Sequence, residues 1–156
     1  MNHVNREDVK HRPEVHVAGL CFKKDNGEIR VLISRRSPTR ELFPGLYEGC
    51  GGQLQEGEMF AEGVKRHFKD EMGIEVKVWE SAYTIYGIQR ESRLTIPGIC
   101  YLCAYVSGKA RSPNHTEHRW VTEDELRQMS EGEFIPSMKR KILRSFEAVN
   151  LGISWE

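Results

Sequence analysis

The sequence has no excess of charge of either sign. Its 156 residues include 23 Lys and Arg and 23 Asp and Glu, so the formal net charge is zero. No overall field therefore attracts the protein to nucleic acid or to an anionic membrane. We expect a small-molecule partner, and we expect no nucleic acid and no membrane among the partners.

Long apolar runs are missing as well. Stretches such as 99–106 are far shorter than the roughly 20 residues that cross a bilayer. The opening residues MNHVNREDVKHRPE contain no apolar signal core. These absences predict a cytoplasmic protein. The length predicts a single domain over residues 1–156, in which the polar residues 1–13 form a flexible N-terminus.

Cysteine is scarce, with four residues in the chain. Cys21, Cys50, Cys100 and Cys103 lie mostly inside apolar segments, which is typical of small buried side chains in a reducing compartment. The spacing Cys100-x-x-Cys103 falls on a predicted strand, where residues three apart face opposite sides of the sheet. We therefore predict neither a disulfide framework nor a zinc site.

Apolar segments bounded by turn residues predict the strands. Asp25-Asn26-Gly27 favours a hairpin between the first two of them. A polar turn at 90–92 joins two later strands and suggests a meander. The predicted strands cover 16–22, 29–33, 74–78, 82–88, 94–106 and 119–121.

The segment 37–57 is rich in glycine and proline and is predicted to be a long loop. Helical periodicity is clear in two places after it. Apolar residues recur every four positions in 60–72, and Gly73 is placed to end that helix. Thr122 is placed to cap a short helix that ends near Ser130. A last helix is predicted over 138–149, whose cations we interpret as a solvated face.

The first of these helices has acidic residues suited to metal binding. His67, Asp70 and Glu71 lie at i, i+3 and i+4, which places them on one helix face, and Glu58 precedes the helix. Clustered carboxylates repel one another, and a divalent cation that prefers oxygen ligands relieves that repulsion. Mg²⁺ or Mn²⁺ held here could polarise a phosphorus centre and activate water. The alternative is a solvated face in which these acids pair with nearby lysines.

The stretch from Gly52 to Ile74 resembles the Nudix box, G-x5-E-x7-R-E-U-x-E-E-x-G-U, where U is a large apolar residue. Its spacing agrees throughout. The matching positions are Gly52, Glu58, Arg66, Phe68, Glu71, Gly73 and Ile74.

Two positions in the box differ from the family pattern. Asp70 replaces a glutamate and keeps the carboxylate. His67 stands where the family has a glutamate that usually serves as a metal ligand or base. Imidazole binds Mn²⁺, Zn²⁺ or Co²⁺ but is a poor ligand for Mg²⁺, so this change predicts weaker magnesium binding or a shifted metal preference.

The resemblance covers roughly residues 15–126. The segments LISRRSPTRELFPGLYEGCGGQL and EHRWVTEDEL are similar to the family's regions before and after the box, with Cys50 at the place of a common proline. The resemblance implies the α/β class and a Nudix-like α/β/α sandwich around a mixed β-sheet. It also implies an active site at the loop-rich rim of that sheet.

Residues outside the box helix are further candidates for the site. Arg35 and Arg36 follow the second strand and could grip diphosphate oxygens with their guanidinium groups, as could Arg40; a solvated loop explains all three equally well. Glu48 could orient Arg66 or approach the metal side, or it could be an ordinary loop acid.

A general base could lie in a later loop. In family members whose box glutamate is not the base, a carboxylate from such a loop can take that role, and Glu117 or His115 is available for it. Trp120 and Tyr47 could stack on a nucleobase, but aromatic residues near strands more often belong to the core.

The sequence thus predicts a metal-dependent hydrolase that cleaves a diphosphate bond in a nucleoside diphosphate linked to another group. Mg²⁺ or Mn²⁺ would be held by the four ligands Glu58, His67, Asp70 and Glu71. Arg66 would orient the carboxylates, Glu71 and His67 would also serve catalysis, and the Gly51-Gly52 turn would let the backbone approach phosphate.

His67 also supports a second interpretation. A Nudix module without catalysis would bind a nucleotide or an ADP-ribose-like ligand as a sensor or partner domain. A third interpretation, nucleic-acid binding through the basic last helix, has no recognised motif to support it. The substrate remains open, and so does assembly into a homodimer.

Overall fold

All strands described in the structure belong to one mixed sheet. The structure is a computed structural model that describes residues 13–89 and 95–155. The predicted turn at 90–92 and most of the predicted flexible N-terminus lie outside the described residues. The strands are β1 (His16–Asp25), β2 (Glu28–Arg36), β3 (Tyr47–Glu48), β4 (Cys50–Gln53), β5 (Glu75–Gln89), β6 (Thr95–Ser107) and β7 (His115–Thr122).

The central strand β1 explains why the sheet is mixed. It runs parallel to β6 and antiparallel to both β2 and β4. The predicted hairpin between β1 and β2 is confirmed, and its turn uses positive φ at Asn26 (51°) and Gly27 (78°). The predicted meander is wrong in part, because β6 returns beside β1 and β7 pairs with β2.

Two predictions of local structure need correction. The segment 37–57 contains β3 and β4, which a search for apolar periodicity misses because β4 is a short, glycine-rich strand held by backbone pairing. The strands predicted at 74–78 and 82–88 form one strand, β5. Three residues of β5, Glu80 to Ala82, have no partner on β6, since Trp79 pairs with Leu102 and Tyr83 with Tyr101.

The helices confirm the predicted periodic segments. The box helix consists of α1 (Phe60–His67) and a π-helical turn (Phe68–Met72), and Gly73 ends it in the left-handed region at φ 69°. Thr122 Oγ1 accepts a hydrogen bond from the Glu125 amide at 3.2 Å, which caps α2 (Glu123–Gln128). A 3₁₀ turn at Glu131–Glu133 leads toward α3 (Met138–Asn150).

The sheet buries both of its faces, which gives the predicted α/β/α sandwich. Val17 and Cys21 of β1 pack on the α1 side with Val64, whereas Leu20 and Phe22 pack on the α3 side. The Phe22 ring meets the Phe146 ring of α3 edge-on at 5.1 Å. All four cysteines are buried and free.

Among the described residues, no helix is long and apolar enough to cross a membrane.

Candidate active site

The glycine turn before the box helix is closely packed by its neighbours. Gly51 pairs with Ala18 and Gly52 with Val17 in the β1–β4 ladder. A Cβ atom at Gly51 would lie 2.5 Å from the Val17 carbonyl oxygen, and one at Gly52 would lie 2.4 Å from Cε1 of His67. Both positions therefore require glycine, and the His67 ring lies directly against Gly52.

Glu58 and Arg66 form a bidentate pair at the start of the box helix. Arg66 donates to Glu58 from Nε at 2.7 Å and from Nη2 at 3.0 Å, and Nη2 also donates to the Gln53 carbonyl at 3.0 Å. The Gln55 amide donates to Glu58 as well. The hydrogen bonds from Arg66 lower the pKa of Glu58. Glu58 is thus held as an ionised partner of Arg66, and its role as a metal ligand stays a prediction.

The His67 ring is buried with an acceptor at each nitrogen. Nδ1 lies 3.0 Å from Oε1 of Glu71, and Nε2 lies 2.8 Å from the Gln53 carbonyl oxygen. A ring protonated on both nitrogens satisfies both contacts, and the hydrogen bond to Glu71 raises the pKa of His67. In this arrangement neither nitrogen offers a lone pair to a cation. Metal binding by His67, which stays a prediction, would require one of these bonds to break.

Glu71 is engaged but remains accessible. Besides His67, it accepts a weak contact at 3.8 Å from the Cys50 thiol. Burial raises the pKa of Cys50, and the charges of Glu71 and Glu48 raise it further. The Glu71 side chain is nevertheless 38% exposed, so solvent and ligands reach its carboxylate.

Asp70 is the least restrained acid of the box. It is exposed, and it forms no hydrogen bond or ion pair with any of the described residues. No group of three His, Cys, Asp or Glu side chains within residues 13–89 and 95–155 is arranged to hold a metal ion. Magnesium, however, commonly binds through one or two carboxylates and completes its shell with water and phosphate oxygens. Metal binding by Asp70 and Glu71 stays a prediction.

A second set of charged side chains lies between β2, β3 and β7. Arg36 Nη1 pairs with Glu48, and its Nε donates to the Leu42 carbonyl at 2.9 Å. His115 Nε2 lies 3.4 Å from the other oxygen of Glu48. Burial by itself would raise the pKa of Glu48, but the hydrogen bonds from His115 and Arg36 lower it overall. The structure therefore pairs Glu48 with Arg36, and Glu58 takes the role beside Arg66.

Arg35 and Glu117 meet over the ring of Tyr47. The Tyr47 hydroxyl donates to Oε2 of Glu117 at 2.8 Å and accepts from Arg35 Nη2 at 3.2 Å. The Arg35 guanidinium lies 4.8 Å from the ring centroid. Tyr47 is 1% exposed and belongs to the core, as one of the two interpretations of this residue predicted.

The remaining candidates lie apart from these contacts. Trp120 is half-buried against the core, and its ring meets Tyr105 edge-on at 5.3 Å. Arg40 is exposed, and its backbone amide donates to the Ser37 carbonyl. The structure thus pairs Glu58 with Arg66 at the start of the box helix and Glu71 with His67 near its end, and it leaves Asp70 apart from both pairs. Along β2, β3 and β7 it gathers Arg35, Arg36, Glu48, His115 and Glu117.

Sequence reasoning missed three participants. The Gln53 carbonyl accepts from both Arg66 and His67, and a backbone atom leaves no signal in a sequence. Ser34 and His118 pair across β2 and β7, with Oγ 2.7 Å from Nδ1. Burial lowers the pKa of His118, and its Nε2 is buried without a hydrogen-bond partner among the described residues. Only the cross-strand register would have revealed this pair.

Comparison with known proteins agrees with this geometry. The model of the NUDIX domain matches residues 12–145, which is most of the chain. The chain belongs to the NUDIX family. The resemblance read from residues 52–74 is therefore confirmed, and so is the sandwich with a mixed sheet.

Individual relatives are distant. A Nudix hydrolase of Deinococcus radiodurans is 35% identical over 63 residues, which cover 40% of this chain and 36% of that protein. A C. elegans Ap4A hydrolase in a binary complex is 16% identical, with a TM-score of 0.69 over 90% of this chain and 99% of the other. The NUDIX domain of Shewanella oneidensis NrtR complexed with ADP ribose is 15% identical, with a TM-score of 0.70 over 96% and 99%. At these identities the two structures show a shared fold.

Proposed function

We propose that this NUDIX-family protein is a hydrolase that cleaves a diphosphate bond in a nucleoside diphosphate linked to another group, with water as the nucleophile. One observation carries the proposal. Asp70 and Glu71 are adjacent carboxylates at the end of the box helix; Asp70 is exposed and has no partner within residues 13–89 and 95–155, and Glu71 is 38% exposed. Carboxylates left accessible in this way suit a metal that arrives with a phosphate-bearing substrate.

In this proposal Asp70 and Glu71 would hold Mg²⁺ or Mn²⁺. Such a cation polarises a phosphoryl oxygen and lowers the pKa of a bound water. Glu58 would join the ligands only on leaving Arg66, and His67 only on leaving Gln53 or Glu71. Mn²⁺ suits that set better than Mg²⁺, because imidazole is a poor magnesium ligand.

The other side chains of the site would position the glycine turn and the substrate and would deprotonate the attacking water. Arg66 holds Glu58 and the Gln53 carbonyl, which fixes the glycine turn to the box helix. Glu117 is our proposed general base, since its side chain is 41% exposed and reaches water. Arg35 would turn from Tyr47 to grip phosphate oxygens, a role for which its fork geometry is suited.

Substrate binding would also involve Arg36, Glu48 and the glycines. Arg36 would add positive charge beside the substrate while Glu48 fixes its direction. Phosphate would approach the backbone at Gly52 only after the His67 ring moves away from it, and the approach at Gly51 would be from the side that β1 leaves uncovered. We further propose that the protein acts in the cytoplasm on a freely diffusing small molecule.

A second function is favoured by the His67 contacts. The ring ties Glu71 to the Gln53 carbonyl and fills the space beside Gly52. If these bonds persist when a ligand binds, Oε1 of Glu71 stays unavailable to a metal. The protein would then bind a nucleotide or an ADP-ribose-like ligand without cleaving it.

Turnover separates the two functions. The protein would be incubated with a panel of diphosphate compounds, including ADP-ribose and diadenosine tetraphosphate, in Mg²⁺ and separately in Mn²⁺. We expect phosphate-bearing products that Glu71→Gln eliminates and Glu75→Gln, an exposed acid outside the box, leaves unchanged. Binding of a compound without turnover in either metal would favour the sensor function instead.

A further inference from the structure

A cavity of about 490 Å³ lies on the side of the sheet opposite the box helix. Its volume is in the range of small-molecule sites. The floor is formed by Leu20, Cys100 and Leu102 of the central strands, and α3 forms one wall. It is therefore separate from the acids of the box, although it belongs to the same sheet.

The irregularity of β5 opens this cavity. Glu80 to Ala82 have no partners on β6, so the edge strand leaves the ladder where the floor residues lie. Ser81 and Ala82 then line the cavity with Tyr83 and Thr84. An apolar floor with hydroxyl groups at its wall suits a compact organic group.

The α3 wall carries positive charge. Arg140, Lys141 and Arg144 line the cavity, and its lining within the described residues includes no carboxylate. Neither arginine forms an ion pair with a described residue, and Lys141 Nζ lies 4.7 Å from the centroid of the Tyr86 ring. Burial raises the pKa of Cys100 to about 11, and the nearby charge of Lys141 opposes that rise. Three cations that meet no carboxylate among the described lining residues favour an anion at the cavity.

The sheet register connects this cavity to the glycine turn. Ala18 pairs with Gly51 on one side and with Cys100 on the other. Gly51 and the cavity floor are therefore two strand spacings apart, about 10 Å. Paired residues also face the same side of a sheet, so both present the α3 face. A ligand that contacts both the turn and the cavity would have to span that distance across the α3 face.

We propose that this cavity selects diphosphate compounds that carry an additional phosphate remote from the diphosphate, which Arg140, Lys141 and Arg144 bind. The inference rests on the proposed function for the position of the diphosphate. The substrates would be polyanionic diphosphate compounds whose organic half enters the cavity. Guanidinium groups suit this task, since they bind phosphate through two parallel hydrogen bonds.

A matched pair of ligands tests the proposal, because NADP⁺ differs from NAD⁺ by one phosphate remote from the diphosphate. Affinities for both would be measured by calorimetry with wild-type protein, Arg140→Gln/Arg144→Gln and the control Lys24→Gln, an exposed lysine on β1. We expect wild type to prefer NADP⁺ by about tenfold, the double variant to lose that preference, and the control to keep it. Dephospho-coenzyme A and coenzyme A, which also differ by one remote phosphate, provide a second pair.

The outcomes distinguish this inference from the hydrolase proposal. Equal affinity for both members of each pair in wild type, or a preference that survives the double variant, would overturn the inference even if both compounds were hydrolysed. A preference that the arginines account for, without any turnover, would support the inference while the hydrolase proposal fails. Amide shifts at 81–85 and 137–145 on adding NADP⁺ would place the ligand, and shifts confined to other regions would contradict the inference.

Discussion

The box helix and the rim formed by β2, β3 and β7 both carry carboxylates, but the contacts of these carboxylates differ. On the rim, Glu48 pairs with Arg36 and with His115. Glu117 accepts a hydrogen bond from Tyr47 and faces Arg35. In the box, Glu58 is held by Arg66, whereas Asp70 is exposed and has no partner in the part of the chain that the structure describes. Paired carboxylates fix the shape of a site, and accessible ones remain free to bind. We therefore propose that the metal binds at the box. His67 restrains Glu71 there, because its ring forms a hydrogen bond with that carboxylate.

The largest effect is expected when the carboxylate of Glu71 is removed. Glu71→Gln should lower kcat/KM by on the order of 100-fold or more, because a neutral amide does not balance the charge of a cation at the reacting phosphate. Steady-state turnover in Mn²⁺ measures this, with Glu75→Gln as the matched control. Activity within threefold of wild type would place the reactive acid elsewhere.

The second largest effect is expected when His67, which restrains Glu71, is replaced. His67→Glu restores the family's residue and frees Glu71, so Mg²⁺-dependent turnover should rise by about tenfold. His67→Gln is the control, since it removes the imidazole without adding a carboxylate. Equal rates for wild type and His67→Glu in saturating Mg²⁺ would show that His67 does not limit the activity.

The contact between His67 and Gly52 gives a prediction for stability. Gly52→Ala puts a Cβ against the ring and should cost about 1–3 kcal/mol of unfolding free energy, measured in urea. The same change in a His67→Ala background should cost less, because the obstructing ring is gone. Equal costs in both backgrounds would mean that the ring is not held where the structure has it.

The smallest effect concerns the rim, and it depends on pH. The pKa of Glu48 is lower in the folded protein than its ordinary 4.5, so its ionised form stabilises the fold above that value. This stabilisation is lost as pH falls below 4.5 toward the lowered pKa. Glu48→Gln should therefore be less stable than wild type by about 1 kcal/mol at pH 7, and the difference should shrink in acid. A constant difference between pH 7 and pH 3 would contradict the pairing with Arg36 and His115.

The two regions also differ in how far the sequence could predict them. The box could be read because its chemistry depends on spacing along one helix, and the structure keeps 60–72 helical with Gly73 as its end. The rim depends on which residues face each other across strands. Tyr47 and Glu117 are 70 positions apart, and their hydrogen bond follows from the registers in which β3 and β7 both pair with β2, which no local pattern encodes.

The contact between His67 and Glu71 could be predicted from the sequence only in part. The substitution of a glutamate by His67 was visible in the sequence, but the acceptors of its ring were not. One of them is the Gln53 carbonyl, which β4 brings beside the helix by backbone pairing with β1. The strand β4 was itself missed, because cysteine and glycine carry no strand periodicity.

Manganese binding tests the central claim most directly. Electron paramagnetic resonance would follow Mn²⁺ titrated into wild-type protein and into Asp70→Asn/Glu71→Gln. We predict that wild type binds the ion and that the double variant loses this binding by at least tenfold in affinity. Equal binding by both proteins, or none by wild type with ADP-ribose present, would contradict the assignment of the metal to the end of the box helix.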